Sequence, residues 1–146
     1  MRLGPVNASM LIAIVDDEES VRTGLRRLCM SLGLRASVYA SGSEFLHSLA
    51  AGTPPPDSVL LDAHMPHMSG LEVQQHLIRL GLRIPTIVYT ADDAPEAEAR
   101  YVAAGVTAYL RKPIAGDELL AAMEEVMARA HPPAVQHDAQ TAAPPP

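Results

Sequence analysis

Five short apolar runs, each followed by an amphipathic segment, constrain this chain more than any other feature. The runs are Met10–Val15, Ala36–Tyr39, Ser58–Asp62, Ile84–Tyr89 and Thr107–Leu110. Each is too short for a buried helix and is bounded by turn residues, so each reads as a strand. After the first run, Val21, Leu25, Leu28, Cys29 and Leu32 recur at helical spacing, with Arg22, Arg26 and Arg27 on the other side and Gly33 as a stop. Ser41 or Ser43 caps a second helix through Phe45, Leu46 and Leu49, and Ser69 caps a third carrying Leu71, Leu77 and Leu80, ended by Gly81. Pro95 opens a fourth that runs to Ala104, and the last spans about Asp117 to Ala130, with Leu119, Leu120, Met123, Val126 and Met127 on its apolar side. Strict strand–helix alternation implies a doubly wound parallel sheet covered by helices on both faces. Right-handed crossovers then bring the carboxyl ends of all five strands to one edge.

That edge is where open α/β sheets bind ligands, and here it carries charge. Ser58-Val59-Leu60-Leu61 leads straight into Asp62, followed by a Met-Pro turn; Asp16 and Asp17 abut the end of the first strand. Thr90 ends the fourth, and Lys112 follows the fifth. A lone Asp after a strand usually caps a turn, and acids near a helix start suit its dipole. The second reading covers Glu18 and Glu19 well but not Asp16 and Asp17, which precede the helix. Three converging carboxylates repel one another unless a cation sits among them. Oxygen-only ligands favour Mg²⁺ over Zn²⁺. A Lys and a hydroxyl beside such an ion suit phosphate oxygens, and a carboxylate there can attack phosphorus to give an aspartyl phosphate. His64 and His67 flank Pro66 in a turn rather than sharing a helix face, so their side chains are not expected to ligate a metal.

Composition excludes other classes. The 146 residues suit one domain, and the formal net charge of -6 argues against a non-specific nucleic-acid binder. The single cysteine, Cys29, cannot form an internal disulfide and lies on an apolar helical stripe, which fits a core residue in a reducing compartment. No apolar run is long enough to span a bilayer and no signal peptide is evident; the expected location is the cytoplasm. Residues 1–9 read as an irregular leader, 10–130 as the domain, and 131–146, rich in Pro and Ala, as a disordered tail.

The motifs Val15-Asp16-Asp17-Glu18, Leu61-Asp62-Ala63-His64-Met65-Pro66-His67-Met68-Ser69-Gly70-Leu71-Glu72 and Lys112-Pro113 resemble those of the receiver domains of two-component response regulators, most closely the FixJ/NarL-like group. The resemblance implies a flavodoxin-like sheet with strand order 2-1-3-4-5. It implies that Asp62 is the phospho-acceptor and that Asp17, Asp62 and the backbone carbonyl of His64 ligate Mg²⁺, with Asp16 acting directly or through water. Thr90 and Lys112 would contact the phosphoryl group. Tyr109 would be a switch aromatic working with Thr90, and the Lys112–Pro113 peptide is expected to be cis. Such a domain is a switch rather than a conventional enzyme, catalysing only its own phosphorylation and dephosphorylation. Its partners would be a sensor histidine kinase or a histidine phosphotransfer protein. Phosphorylation would alter the face formed by the fourth helix, fifth strand and fifth helix, supporting a homodimer. Ala97, Ala99, Ala103 and Ala104 are expected to keep that helix low in relief. The FixJ/NarL-like group usually carries a helix-turn-helix output domain after the receiver; this sequence shows no basic recognition helix, so direct DNA binding by this chain is not expected, and it is either a stand-alone receiver or one cut at a linker. The lack of a long apolar run likewise gives no expectation of membrane attachment. Two alternatives fare worse. A haloacid-dehalogenase-type phosphatase needs a second Asp where His64 stands, and the first strand–helix turn lacks the glycines of a dinucleotide fold.

Overall fold

The computed structural model describes residues 10–91 and 95–130. The leader and tail expected at 1–9 and 131–146 lie outside the described residues, as does Asp92 after the fourth strand. In chain order the elements are β1 (Leu11–Val15), α1 (Glu19–Ser31), β2 (Arg35–Tyr39), α2 (Gly42–Ala50), β3 (Ser58–Asp62), α3 (Gly70–Arg79), β4 (Thr86–Thr90), α4 (Pro95–Ala103), β5 (Ala108–Arg111) and α5 (Gly116–Ala130). All strand pairs are parallel, in the order β2-β1-β3-β4-β5.

Strands β3 and β4 are buried along their whole length, which is why they read as unbroken apolar runs rather than alternating ones. Successive side chains point to opposite faces of the sheet. On one face Ile12, Ile14, Leu60, Ile87 and Tyr89 pack with Leu25 and Cys29 of α1 and with Leu119, Met123 and Val126 of α5. On the other, Ala13, Val15, Val59, Leu61 and Val88 pack with Phe45, Val73, Leu77 and Tyr101 of α2, α3 and α4. Cys29 is fully buried, and burial pushes its thiol up to about 11, the state of an inert core residue.

Local signals place the helices. Ser41 caps α2 by accepting from the Glu44 N–H, and Ser69 and Glu72 form a reciprocal capping box at the start of α3. The apolar side of α3 differs from the expected one: Val73 and Leu77 are buried, whereas Leu80 is the C-cap and 60 % exposed. Leu80 shares the angular position of Val73 and Leu77 on the helix, yet at the C-cap it is left to solvent. In α4, Ala97 turns inward and Val102 projects outward, so the outer face is not the smooth alanine surface expected. The large inward residue of that helix is Tyr101.

Candidate functional site

Strand pairing assembles the site. Asp62 lies in register with Tyr89 of β4, and Ile14 with Leu60, so Asp16, Asp62 and Tyr89 all emerge on the α1/α5 side of the sheet. Lys112, two residues beyond Leu110, has the same parity. Thr90 and Tyr109 have the opposite parity and belong to the α3/α4 side. The charged residues and the expected switch residues therefore share an edge but occupy different faces.

Asp16, Asp17 and Asp62 each present a carboxylate oxygen within 4.8 Å of the others. Asp16 and Asp62 are buried, while Asp17 is exposed. Lys112 Nζ reaches Asp62 Oδ1 at 3.4 Å and Asp16 Oδ2 at 3.6 Å. Burial raises the Asp62 carboxyl to about 6, and the Asp16 charge adds to the rise. Lys112 and the His64 N–H, which donates to Asp62 Oδ1 at 3.3 Å, only partly offset it. The cluster thus holds more negative charge than its one ammonium balances, and its donors are all oxygens. A hard divalent cation such as Mg²⁺ suits that set.

The loop from β3 to α3 is held tightly against the acceptor. The Gly70 N–H donates to the Ala63 carbonyl at 3.0 Å, and a Cβ on Gly70 would stand 2.6 Å from the Asp62 carbonyl oxygen, so no side chain fits there. His64 and His67 are exposed, and His67 has a φ of 70° in the turn. Neither joins a cluster of potential metal ligands among the described residues. On the other side of the acceptor, the Lys112 N–H donates to the Thr90 carbonyl at 2.8 Å, and the Lys112–Pro113 peptide is cis. Thr90 is fully buried, and Tyr109 is half-buried with its ring centroid 5.7 Å from that of Tyr101.

Three residues at the site, Tyr89, Tyr101 and Arg22, make contacts with no counterpart in the sequence reading. The Tyr89 hydroxyl donates to Asp16 Oδ2 at 2.6 Å, and Lys112 Nζ lies 5.1 Å from the centroid of the Tyr89 ring. The Tyr101 hydroxyl donates to the Ala63 carbonyl at 3.2 Å and accepts from the Leu71 N–H at 3.0 Å, tying α4 to the β3–α3 loop. Arg22, placed by periodicity on the outer side of α1, donates through its guanidinium to the Asp16 carbonyl at 2.8 Å. A tyrosine inside an otherwise apolar strand was the available signal for the first, because a buried phenol needs a hydrogen-bond partner.

A flavodoxin-like sheet with acids, a lysine and a threonine at its carboxyl edge is the architecture of a signalling receiver. The chain belongs to the response regulator receiver domain family, whose model matches residues 12–124. It is 37% identical over 134 residues to the response regulator MprA of Mycobacterium avium, covering 92% of this chain and 57% of that protein. The MprA of Mycobacterium tuberculosis is also 37% identical, over 124 residues. The chain spans about half the length of these curated relatives. Among solved structures, a response regulator receiver protein from Burkholderia phymatum is 39% identical with a TM-score of 0.74, covering 82% of this chain and 96% of that one. FixJ-N is 28% identical with a TM-score of 0.75, covering 82% and 94%. Membership in this family implies phosphorylation-dependent two-component signalling. None of the helices among the described residues is long and apolar enough to cross a membrane.

Proposed function

We propose that Asp62 is the phospho-acceptor of a signalling switch charged by a sensor histidine kinase or a histidine phosphotransfer protein. The observation that carries this reading is the buried Asp62 carboxylate with Lys112 at 3.4 Å and two further acids within 4.8 Å. Asp62 needs its charge to attack phosphorus, and a value of about 6 leaves it mostly ionised at neutral pH. One of its oxygens forms the new O–P bond while the N–P bond to the donor imidazole breaks, and the departing ring nitrogen keeps the electron pair and takes a proton from water. Lys112, 3.4 Å from Asp62, would neutralise the phosphoryl oxygens, and the Thr90 hydroxyl would donate to one of them. Asp17, Asp62 and the His64 carbonyl would hold Mg²⁺, with Asp16 beside it; bound there, the ion supplies neutralising charge to the transferring group. The chain catalyses only its own phosphorylation and dephosphorylation; in the latter a water oxygen bonds to phosphorus as the Asp62–phosphorus bond breaks, releasing inorganic phosphate and the free carboxylate.

The output is a change of surface. Thr90 drawn toward a phosphoryl group leaves room beside β5 into which Tyr109 turns, altering the α4–β5–α5 face and favouring a second copy of the chain there. Residues 10–130 form the receiver unit, and it does not itself contact DNA. Incubation with Mg²⁺ and a small acyl phosphate tests the assignment by intact-mass measurement. The wild type gains one phosphoryl group and Asp62→Asn gains none; equal labelling of the variant would refute it.

A further inference from the structure

Tyr89 touches two of the charged groups that flank the acceptor, Asp16 and Lys112. Its hydroxyl donates to Asp16 Oδ2 at 2.6 Å, and both residues are fully buried. Its ring lies beneath Lys112, with Nζ 5.1 Å from the centroid. The other Asp16 oxygen, Oδ1, accepts from the Glu18 N–H at 2.8 Å. Both oxygens of this carboxylate are therefore engaged by the protein. Lys112 sits between two acids at nearly equal distances, 3.6 Å from Asp16 and 3.4 Å from Asp62.

We infer that Tyr89 is a positioning residue for phosphoryl transfer: its hydroxyl holds Asp16 as a satisfied counter-charge and its ring seats Lys112 toward Asp62. This rests on the phospho-acceptor reading given above. A carboxylate that already accepts a short charge-assisted hydrogen bond pulls less on other cations. Without that bond, a buried anion regains its full field. It then competes harder for a divalent ion and also draws the Lys112 ammonium away from Asp62. The ring acts separately, because a cation over an aromatic face is held whether or not the ring carries a hydroxyl.

The two consequences have opposite signs, and this separates positioning from simple loosening of the fold. Tyr89→Phe keeps the ring and removes only the donor. Calorimetric titration should show Mg²⁺ binding tighter by about three- to tenfold, within the worth of one hydrogen bond to a charged group. Beryllofluoride, a phosphoryl mimic that needs Lys112, should bind weaker by a similar factor. Tyr89→Val, which removes the ring as well, should weaken beryllofluoride binding further. With Asp16→Asn in the background, Tyr89→Phe should change neither constant. Wild-type protein in which the Tyr89 hydroxyl proton is followed by NMR, using ring-labelled tyrosine, should keep that proton on saturation with Mg²⁺. Both constants weakening together in Tyr89→Phe, neither moving, or the hydroxyl signal vanishing with Mg²⁺ would each overturn the assignment. The NMR arm decides the matter should the variants fail to fold. Wild-type protein that binds neither Mg²⁺ nor beryllofluoride would instead overturn the phospho-acceptor reading, and this assignment with it.

Discussion

Asp62→Asn should make the metal-free protein more stable at neutral pH, and by an amount that depends on pH. The Asp62 carboxyl rises from an ordinary 3.8 to about 6, mainly because burial strips water from the charged form. A raised acid binds its proton more tightly folded than unfolded. The native state is therefore favoured by this group below 3.8, and that advantage is lost as the pH rises to about 6. A shift of roughly two pH units corresponds to ~3 kcal/mol by which ionised Asp62 destabilises the fold at pH 7.5. Asparagine is nearly isosteric and never ionises, so it escapes this cost. Part of the gain is lost because Lys112 gives up its 3.4 Å partner, leaving an expected net stabilisation of about 1–3 kcal/mol. Urea unfolding of both proteins in a metal chelator, at pH 7.5, 5.5 and 4.5, measures the difference. It should be largest at pH 7.5 and fall to about 1 kcal/mol or less at pH 4.5, where native Asp62 is protonated. Adding Mg²⁺ at pH 7.5 should stabilise the wild type and narrow the gap. An Asn variant less stable than wild type at pH 7.5, or a difference that ignores pH, would refute the reasoning.

Three further outcomes are expected. Tyr101→Phe removes the hydroxyl that bridges the Ala63 carbonyl and the Leu71 N–H; it should cost about 1–2 kcal/mol in urea unfolding and raise amide exchange at the start of α3. Gly70→Ala sets a Cβ 2.6 Å from the Asp62 carbonyl oxygen; it should destabilise by about 1–3 kcal/mol and slow labelling by acyl phosphate, whereas unchanged labelling would show that the loop tolerates displacement. Thr90→Ala and Tyr109→Ala should each still take up a phosphoryl group yet fail to self-associate with beryllofluoride in size-exclusion chromatography, and normal association of both would place the switch elsewhere.

The parallel sheet, the helix caps at Ser41 and Ser69 and the charged edge follow from local rules, and those rules act on residues close in the chain. Apolar runs separated by amphipathic segments allow essentially one architecture, because each crossover must be right-handed and each strand must be covered on both faces. The carboxylates of Asp16, Asp17 and Asp62 were legible for the same reason: strand ends of a parallel sheet meet at one edge, however far apart they lie in sequence. Which of those acids is exposed was not legible. Asp16 and Asp17 are neighbours, yet one is buried and hydrogen-bonded to Tyr89 while the other faces solvent. Helix periodicity likewise placed Leu80 in the core with Val73 and Leu77, whereas at the C-cap of α3 it is exposed, because burial depends on what packs against each turn and not on angular position alone.

The sequence by itself determined which elements form, which edge gathers the charge and which residue types stand there. Only the tertiary structure decided how that charge is balanced. The rise in the Asp62 pKa depends on water excluded by packing, and the division of Lys112 between Asp16 and Asp62 depends on ångström differences between side chains from three strand ends. The Tyr89 hydroxyl is assigned its partner by parity and register across strands, and the Tyr101 hydroxyl by the packing of α4 on that sheet beside the β3–α3 loop. Those are properties of the assembled sheet, since electrostatic and hydrogen-bond energies vary steeply with distances that no single segment of chain specifies.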